Sequence, residues 1–154
     1  MNVRRLGREE LAAVLGGLVL AASVFVAWYS LGNEHAVLNG HHGPGGTVTA
    51  WQGLTVFRYL FLAAAAAPII LALVVVRGGA LSWPRGEVTA LVGVTAIVLV
   101  LVRGAIIRPG NPTSEIHPTW GFFLALAAAI VMTVAALMHR AEHDPTPSKP
   151  PGVT

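Results

Sequence analysis

Residues 58–76, RYLFLAAAAAPIILALVVV, carry one charge at the front and none after it. An apolar run of that length matches the roughly 20 residues a helix needs to cross the hydrocarbon core of a bilayer. It confines the chain to folds in which lipid is the solvent around helices. Three further apolar runs flank it. Together the four predict an all-α fold, a four-helix transmembrane bundle with both termini cytoplasmic. The expected spans are about residues 10–31, 51–76, 87–107 and 118–138. They form one membrane domain over residues 1–140, followed by a disordered cytoplasmic tail over 141–154.

Composition supports lipid as the solvent. Only 11% of residues are charged, against about 25% in a soluble domain. A charge at the centre of a bilayer costs about 2.5–3.5 kcal/mol even on insertion scales, so the deficit is what spans require. Cysteine is absent, which excludes disulfides, thiol redox chemistry, iron–sulfur clusters and thiolate-held zinc or haem. The high pI of about 10.2 does not point to nucleic acid. The basic residues are scattered at run ends and form no stripe, so they read as topology signals and headgroup contacts.

The first run, residues 11–31, is too long for the apolar core of a signal peptide, about 7–15 residues. It also ends in Trp28-Tyr29 and not in a small-residue cleavage site, so it reads as a retained span. Gly16-Gly17 and residues 21–23 give it a small-residue face for helix packing. The connection over 33–50 is polar and glycine-rich, with turn chemistry at 43–46 and room for a short strand or helical turn at 47–50. Pro68 lies mid-run and predicts a kink over 64–68. Two prolines and a glycine in 108–112 stop the third run. Pro118 suits the first turn of the fourth helix. From residue 139 the chain turns polar and proline-rich.

Basic residues beside the spans set orientation. Arg4, Arg5, Arg8, Arg77, Arg85, Arg140 and Lys149 fall on one side, and Arg58, Arg103 and Arg108 on the other. The richer side reads as cytoplasmic, in a multi-pass protein of the inner (plasma) membrane. Trp28, Tyr29, Trp51 and Trp120 are expected as interfacial anchors at the outer boundary, and Trp83 at the inner one.

Arg58 and Arg103 are the charges that do not fit a loop. Each falls just inside the outer interface. One reading has them snorkel to lipid phosphate. The other has them face the bundle, pair with Glu34 and Glu115, or hold an anionic headgroup or carboxylate ligand. His35, His41, His42 and His117 gather in sequence on the same side and are candidate ligands for Zn²⁺ or Cu²⁺, although their spacing matches no known signature. No histidine lies mid-span, so a transmembrane b-type haem is not expected, and no cofactor is assigned. The spans hold no Asp or Glu at depth, and no nucleophile–base pair, HExxH or phosphate loop appears.

Trp28-Tyr29 closes the first run, Thr49-Ala50-Trp51-Gln52 opens the second, and Trp120-Gly121 opens the fourth. This pattern resembles a group of small four-span membrane proteins of actinobacteria. The resemblance covers most of residues 10–140 and implies the four-span architecture. It transfers no activity. The chain departs from the pattern at Arg58, where an acidic or apolar residue is usual, and in its His-rich loop. An excess of Arg over Lys with abundant Ala, Gly and Val fits a bacterial, GC-rich source.

The expectation is therefore a non-enzymatic, structural or accessory membrane protein. It would work through helix–helix contacts in a homo-oligomer or a larger membrane complex, surrounded by membrane lipids. One alternative is a ligand, lipid or ion binding or transport protein with an outer pocket near Arg58 and Arg103. The other is an extracytoplasmic metal-binding protein.

Overall fold

A computed structural model describes residues 6–77 and 85–143. Trp83, Arg4, Arg5, Lys149 and the tail from residue 144 lie outside the described residues. The chain runs α1 (Arg8–Ser23), β1 (Ala27–Leu31), β2 (Val37–Leu38), β3 (His41–His42), β4 (Thr47–Thr49), α2 (Ala50–Gly53), α3 (Phe57–Val76), α4 (Arg85–Leu101), β5 (Ile116–Pro118) and α5 (Trp120–His143). A π-helical turn, Val102–Ile106, continues α4. Among the described residues, three helices are long and apolar enough to cross a membrane: Phe57–Val76, Gly86–Ile106 and Trp120–Ala141.

α1 packs on α3 and α5, and α4 packs on α5 and α3. Glycines set how closely these helices approach. A Cβ on Gly16 would lie 2.7 Å from Met132 Cγ of α5, and one on Gly17 would lie 2.6 Å from the Ala65 carbonyl oxygen of α3. The α4–α5 seam uses Gly86 against Ala136 and Gly93 against Thr133. Seven residues separate these two, so they share one helix face. Away from the seams the helices expose large apolar side chains. Examples are Leu15 and Leu18 on α1, Ile70 on α3, Leu91 and Val98 on α4, and Val134 and Leu137 on α5. In water such a surface would aggregate; in lipid it is the ordinary outside of a span.

The first apolar run is not one long helix. α1 has 16 residues, about 24 Å of axial rise, and the rest of the run becomes strand β1. Two causes are visible. Trp28 and Tyr29 are aromatic and fit the pleated strand Ala27–Leu31. The Trp28 indole N–H also donates to the Ser23 carbonyl (2.7 Å) and so satisfies a terminal carbonyl of the helix.

β1 is the centre of a three-stranded antiparallel sheet, ordered β4-β1-β5, with Tyr29 opposite both Val48 and Pro118. Beside it, β2 and β3 form a hairpin around Asn39 (φ 48°) and Gly40 (φ 86°). Positive φ at both central residues is what a two-residue hairpin turn needs. The bridge Val37–Asn111 ties the hairpin to the connection after α4, through N–H···O bonds of 3.0 and 2.9 Å. These pieces cap one end of the helices over a buried cluster that includes Trp28, Tyr29, Leu38, Val48, Leu54 and Ile116. The expected all-α fold is therefore mostly helical but carries this small β cap.

Two other helix boundaries move. The second long helix starts at Phe57, not near residue 51. Residues Ala50–Gly53 form a separate turn, capped by Thr49, whose Oγ1 accepts from the Gln52 N–H at 3.2 Å. The last helix starts at Trp120. Pro118 sits in β5 instead of the first helical turn, because the Thr119 N–H is held by the Trp28 carbonyl at 2.8 Å. That helix also runs past residue 141 to His143. No breaker occurs before Pro145, and Arg140 meets Glu87 of α4 at 3.4 Å. Pro68 lies within the continuous helix α3 and is buried where Gly17 of α1 comes close.

Candidate functional site

The cap end holds Arg58, Arg103 and Arg108, and two of them rest on aromatic rings. Arg58 lies in the first turn of α3. Its guanidinium carbon is 4.5 Å from the Trp51 ring centroid and 4.8 Å from that of Tyr59. Its Nη1 donates to the Trp51 carbonyl and its Nη2 to the Tyr59 hydroxyl, each at 3.0 Å. Arg103 reaches from the π turn over the Phe57 ring at 4.8 Å. Phe57 and Arg58 are consecutive, so the start of α3 carries the aromatic support of one arginine and the whole of the other. Arg108 donates to the Ile116 carbonyl at 2.6 Å.

What the arginines lack matters more. The Nε atoms of Arg58 and Arg103 are buried with no hydrogen-bond partner among the described residues. Among the described residues, the Arg103 guanidinium makes no hydrogen bond or ion pair at all. The expected partners are elsewhere. Glu34 is exposed in the loop after β1, and the Glu115 carboxylate lies over Gly32, near His117. Neither pairs with Arg58 or Arg103.

The π turn explains how Arg103 is presented. The Ile107 N–H reaches back to the Val102 carbonyl (2.6 Å), one residue beyond its α-helical partner. The Arg103 carbonyl that it would have bonded accepts instead from the Tyr29 hydroxyl at 2.8 Å. π turns are frequent at functional positions, and here β1 supplies the donor that completes one. Tyr29 is therefore no interfacial anchor. It is fully buried, as is Trp28, and both belong to the core of the cap. Trp51 is half-buried beneath Arg58, and Trp120 is 59% exposed on α5.

Burial pushes the Tyr29 phenol above its usual value, while Arg103 and Arg108 pull it down by less. It thus remains a donor at neutral pH. A raised folded value means that the proton's contribution to stability is complete below about pH 10, the unfolded value, and is lost as pH rises beyond it. Tyr29→Phe is expected to cost about 1–3 kcal/mol, since it leaves the Arg103 carbonyl without its donor. The gap to wild type should narrow above about pH 10, because only the wild type can lose a proton there. Detergent unfolding at neutral and alkaline pH checks both effects. A gap that is absent at neutral pH, or that is constant with pH, would refute the assignment.

The metal reading does not hold together. His35, His41, His42 and His117 are all exposed, and His41 and His42 lie on the β2–β3 hairpin whereas His117 lies on β5. Among the described residues no three His, Asp or Glu side chains gather as a metal would require.

At the opposite end, where all four long helices meet, a cavity of about 30 Å³ is lined by Glu9, Glu10, Thr89 and His139 together with Pro68 and alanines. That is the room of a single water molecule. In a comparison with known proteins, no family model, no curated protein and no solved structure matches the chain.

Proposed function

We propose that the chain is a non-catalytic, four-span protein of a bacterial plasma membrane that binds an anionic group at its cap end. The ligand class is a phosphate or carboxylate, carried by a lipid headgroup or a small molecule. One observation carries the reading: Arg103 is a half-buried cation, set on an aromatic ring and left without a partner among the described residues. Leaving such a group unpaired costs more than almost any other arrangement. Arg58, whose buried Nε–H has no acceptor among the described residues, adds a second donor from the neighbouring helix. Guanidinium forks suit phosphate and carboxylate oxygens.

Other features support the rest of the reading. The exposed stripe Leu11, Leu15 and Leu18 of α1 supports a fourth, shorter span that faces lipid. The excess of basic residues at the end away from the cap supports cytoplasmic termini and an outward-facing cap. The resemblance to small four-span actinobacterial proteins agrees with this architecture. Helix–helix contact with another copy or a larger complex has less behind it. Gly16, Gly17, Ala125, Ala128, Ala129 and Ala136, the small residues that would serve it, are buried within the chain.

The test is titration of the protein in neutral-lipid nanodiscs with inorganic phosphate and with short-chain phosphatidate. Binding should weaken with salt, and Arg103→Gln should reduce it about tenfold or more, the value of a charge-assisted hydrogen bond. Binding of phosphatidate alone would assign the site to a headgroup, and binding of both to the phosphate itself. If Arg103→Gln and wild type titrate alike, or neither probe binds, the proposal is wrong.

A further inference from the structure

A groove of about 510 Å³ runs between α1 and α5 at the end away from the cap, lined by Ala12, Ile130, Val131, Val134, Ala135 and Met138. Its volume lies within the roughly 300–1,000 Å³ of ligand clefts. Its walls are apolar, and Val131, Val134 and Met138 are each about half exposed, so it opens sideways into the bilayer. Two charged residues, Arg8 and Glu9, close the end of the groove where α1 begins.

We infer that this groove is a binding site for one phospholipid with a primary-ammonium headgroup, distinct from the site at the cap. The acyl chain fills the apolar channel. The lipid phosphate meets Arg8, which is exposed and makes no hydrogen bond or ion pair among the described residues. The ammonium, with its N–H donors, meets the Glu9 carboxylate. A cation beside an anion at one mouth complements a zwitterion better than a net-negative headgroup, which the carboxylate would repel. A quaternary ammonium offers no N–H to the carboxylate and fits less well. The groove is present because α1 is seated deeply by Gly16 and Gly17 in its middle, while near its start Ala12 offers little side chain toward α5.

Native mass spectrometry of the detergent-solubilised full chain, after exchange with phosphatidylethanolamine, phosphatidylglycerol or phosphatidylcholine of the same acyl chains, tests the assignment. Wild type should retain one phosphatidylethanolamine several-fold more than either other lipid. Glu9→Gln should remove the preference over phosphatidylglycerol, and Arg8→Gln should lower retention of both. Val134→Trp fills the channel and should lower retention of all three. Val98→Trp places the same bulk on an equally exposed site of α4 and should not. Because both positions are on the surface, neither variant threatens folding. Equal retention of the three lipids by wild type, or equal effects of the two tryptophans, would overturn the inference. The cap-end proposal would stand unaffected by either result, since none of these residues is near Arg103.

Discussion

Trp28→Ala is expected to destabilise the protein by about 3–5 kcal/mol, the range for emptying a buried aromatic site. The indole is fully buried where the end of α1, the top of α3 and the start of α5 meet. Its ring centroid lies 5.1 Å from that of Phe61 and 6.3 Å from that of Phe122. Truncation leaves a void that three separate elements line and removes the donor from the Ser23 carbonyl. Trp28→Phe should recover part of the loss by refilling the space without restoring the hydrogen bond. Unfolding in mild detergent reads both, and protease sensitivity of residues 33–50 should rise in parallel. An interfacial anchor would behave differently: truncating it would change stability by well under 1 kcal/mol, the scale of ordinary surface substitutions. That outcome would return Trp28 to the role its sequence position first suggests.

Gly17→Leu should disrupt the helix packing itself. Most interior helix glycines gain about 1 kcal/mol on replacement by alanine, so the sign of the effect is diagnostic here. The first added carbon would stand 2.6 Å from the Ala65 carbonyl oxygen and 2.9 Å from Pro68 Cγ. Neither can swing aside, since one is backbone and the other a ring closed on the backbone. Gly17→Ala is expected to cost about 1–3 kcal/mol through overpacking, and Gly17→Leu more. Leu18→Ala, one residue along at an exposed position, should cost little. Stability measured in the same detergent checks the series. If Gly17→Ala stabilises the protein, α1 is not seated against α3 at this point.

Both predictions concern α1 and its continuation, where sequence reading and tertiary structure part company most. Hydropathy detects apolar content, not backbone conformation. Residues 11–31 are as greasy as a span throughout, yet they divide into helix and strand at Ser23. The strand exists because β4 and β5, from distant parts of the chain, supply hydrogen bonds on either side of it. A windowed reading cannot see partners that are about 20 and about 90 residues away. The hairpin was more accessible. Asn39-Gly40 between Val37-Leu38 and His41-His42 is the strongest short-range hairpin signal there is, and the glycine-rich loop around it obscured it.

The candidate site was legible in part. Arg58 and Arg103 stood out because charges are expensive near hydrocarbon, and that argument needs only their position in the run. Their surroundings were not legible. Trp51 reads in the sequence as a lipid anchor and nothing local ties Phe57 to Arg103, and the link from Tyr29 to the Arg103 carbonyl spans 74 positions. The reading that pairs the two arginines with Glu34 and Glu115 rests on shared sidedness alone. A loop can hold a carboxylate on the right side of the membrane and still point it elsewhere.

The order of amino acids alone determined which segments are apolar enough to suit lipid, because desolvation of charge and backbone is a local cost summed along the chain. It also marked the two arginines, for the same reason. Only the tertiary structure decided that the first segment bends into a sheet and that Trp28 and Tyr29 lie inside. It alone left Arg103 over a phenyl ring with nothing to bond among the described residues. Those outcomes depend on which distant groups arrive to satisfy a given N–H, carbonyl or ring face, and that is a property of packing in three dimensions.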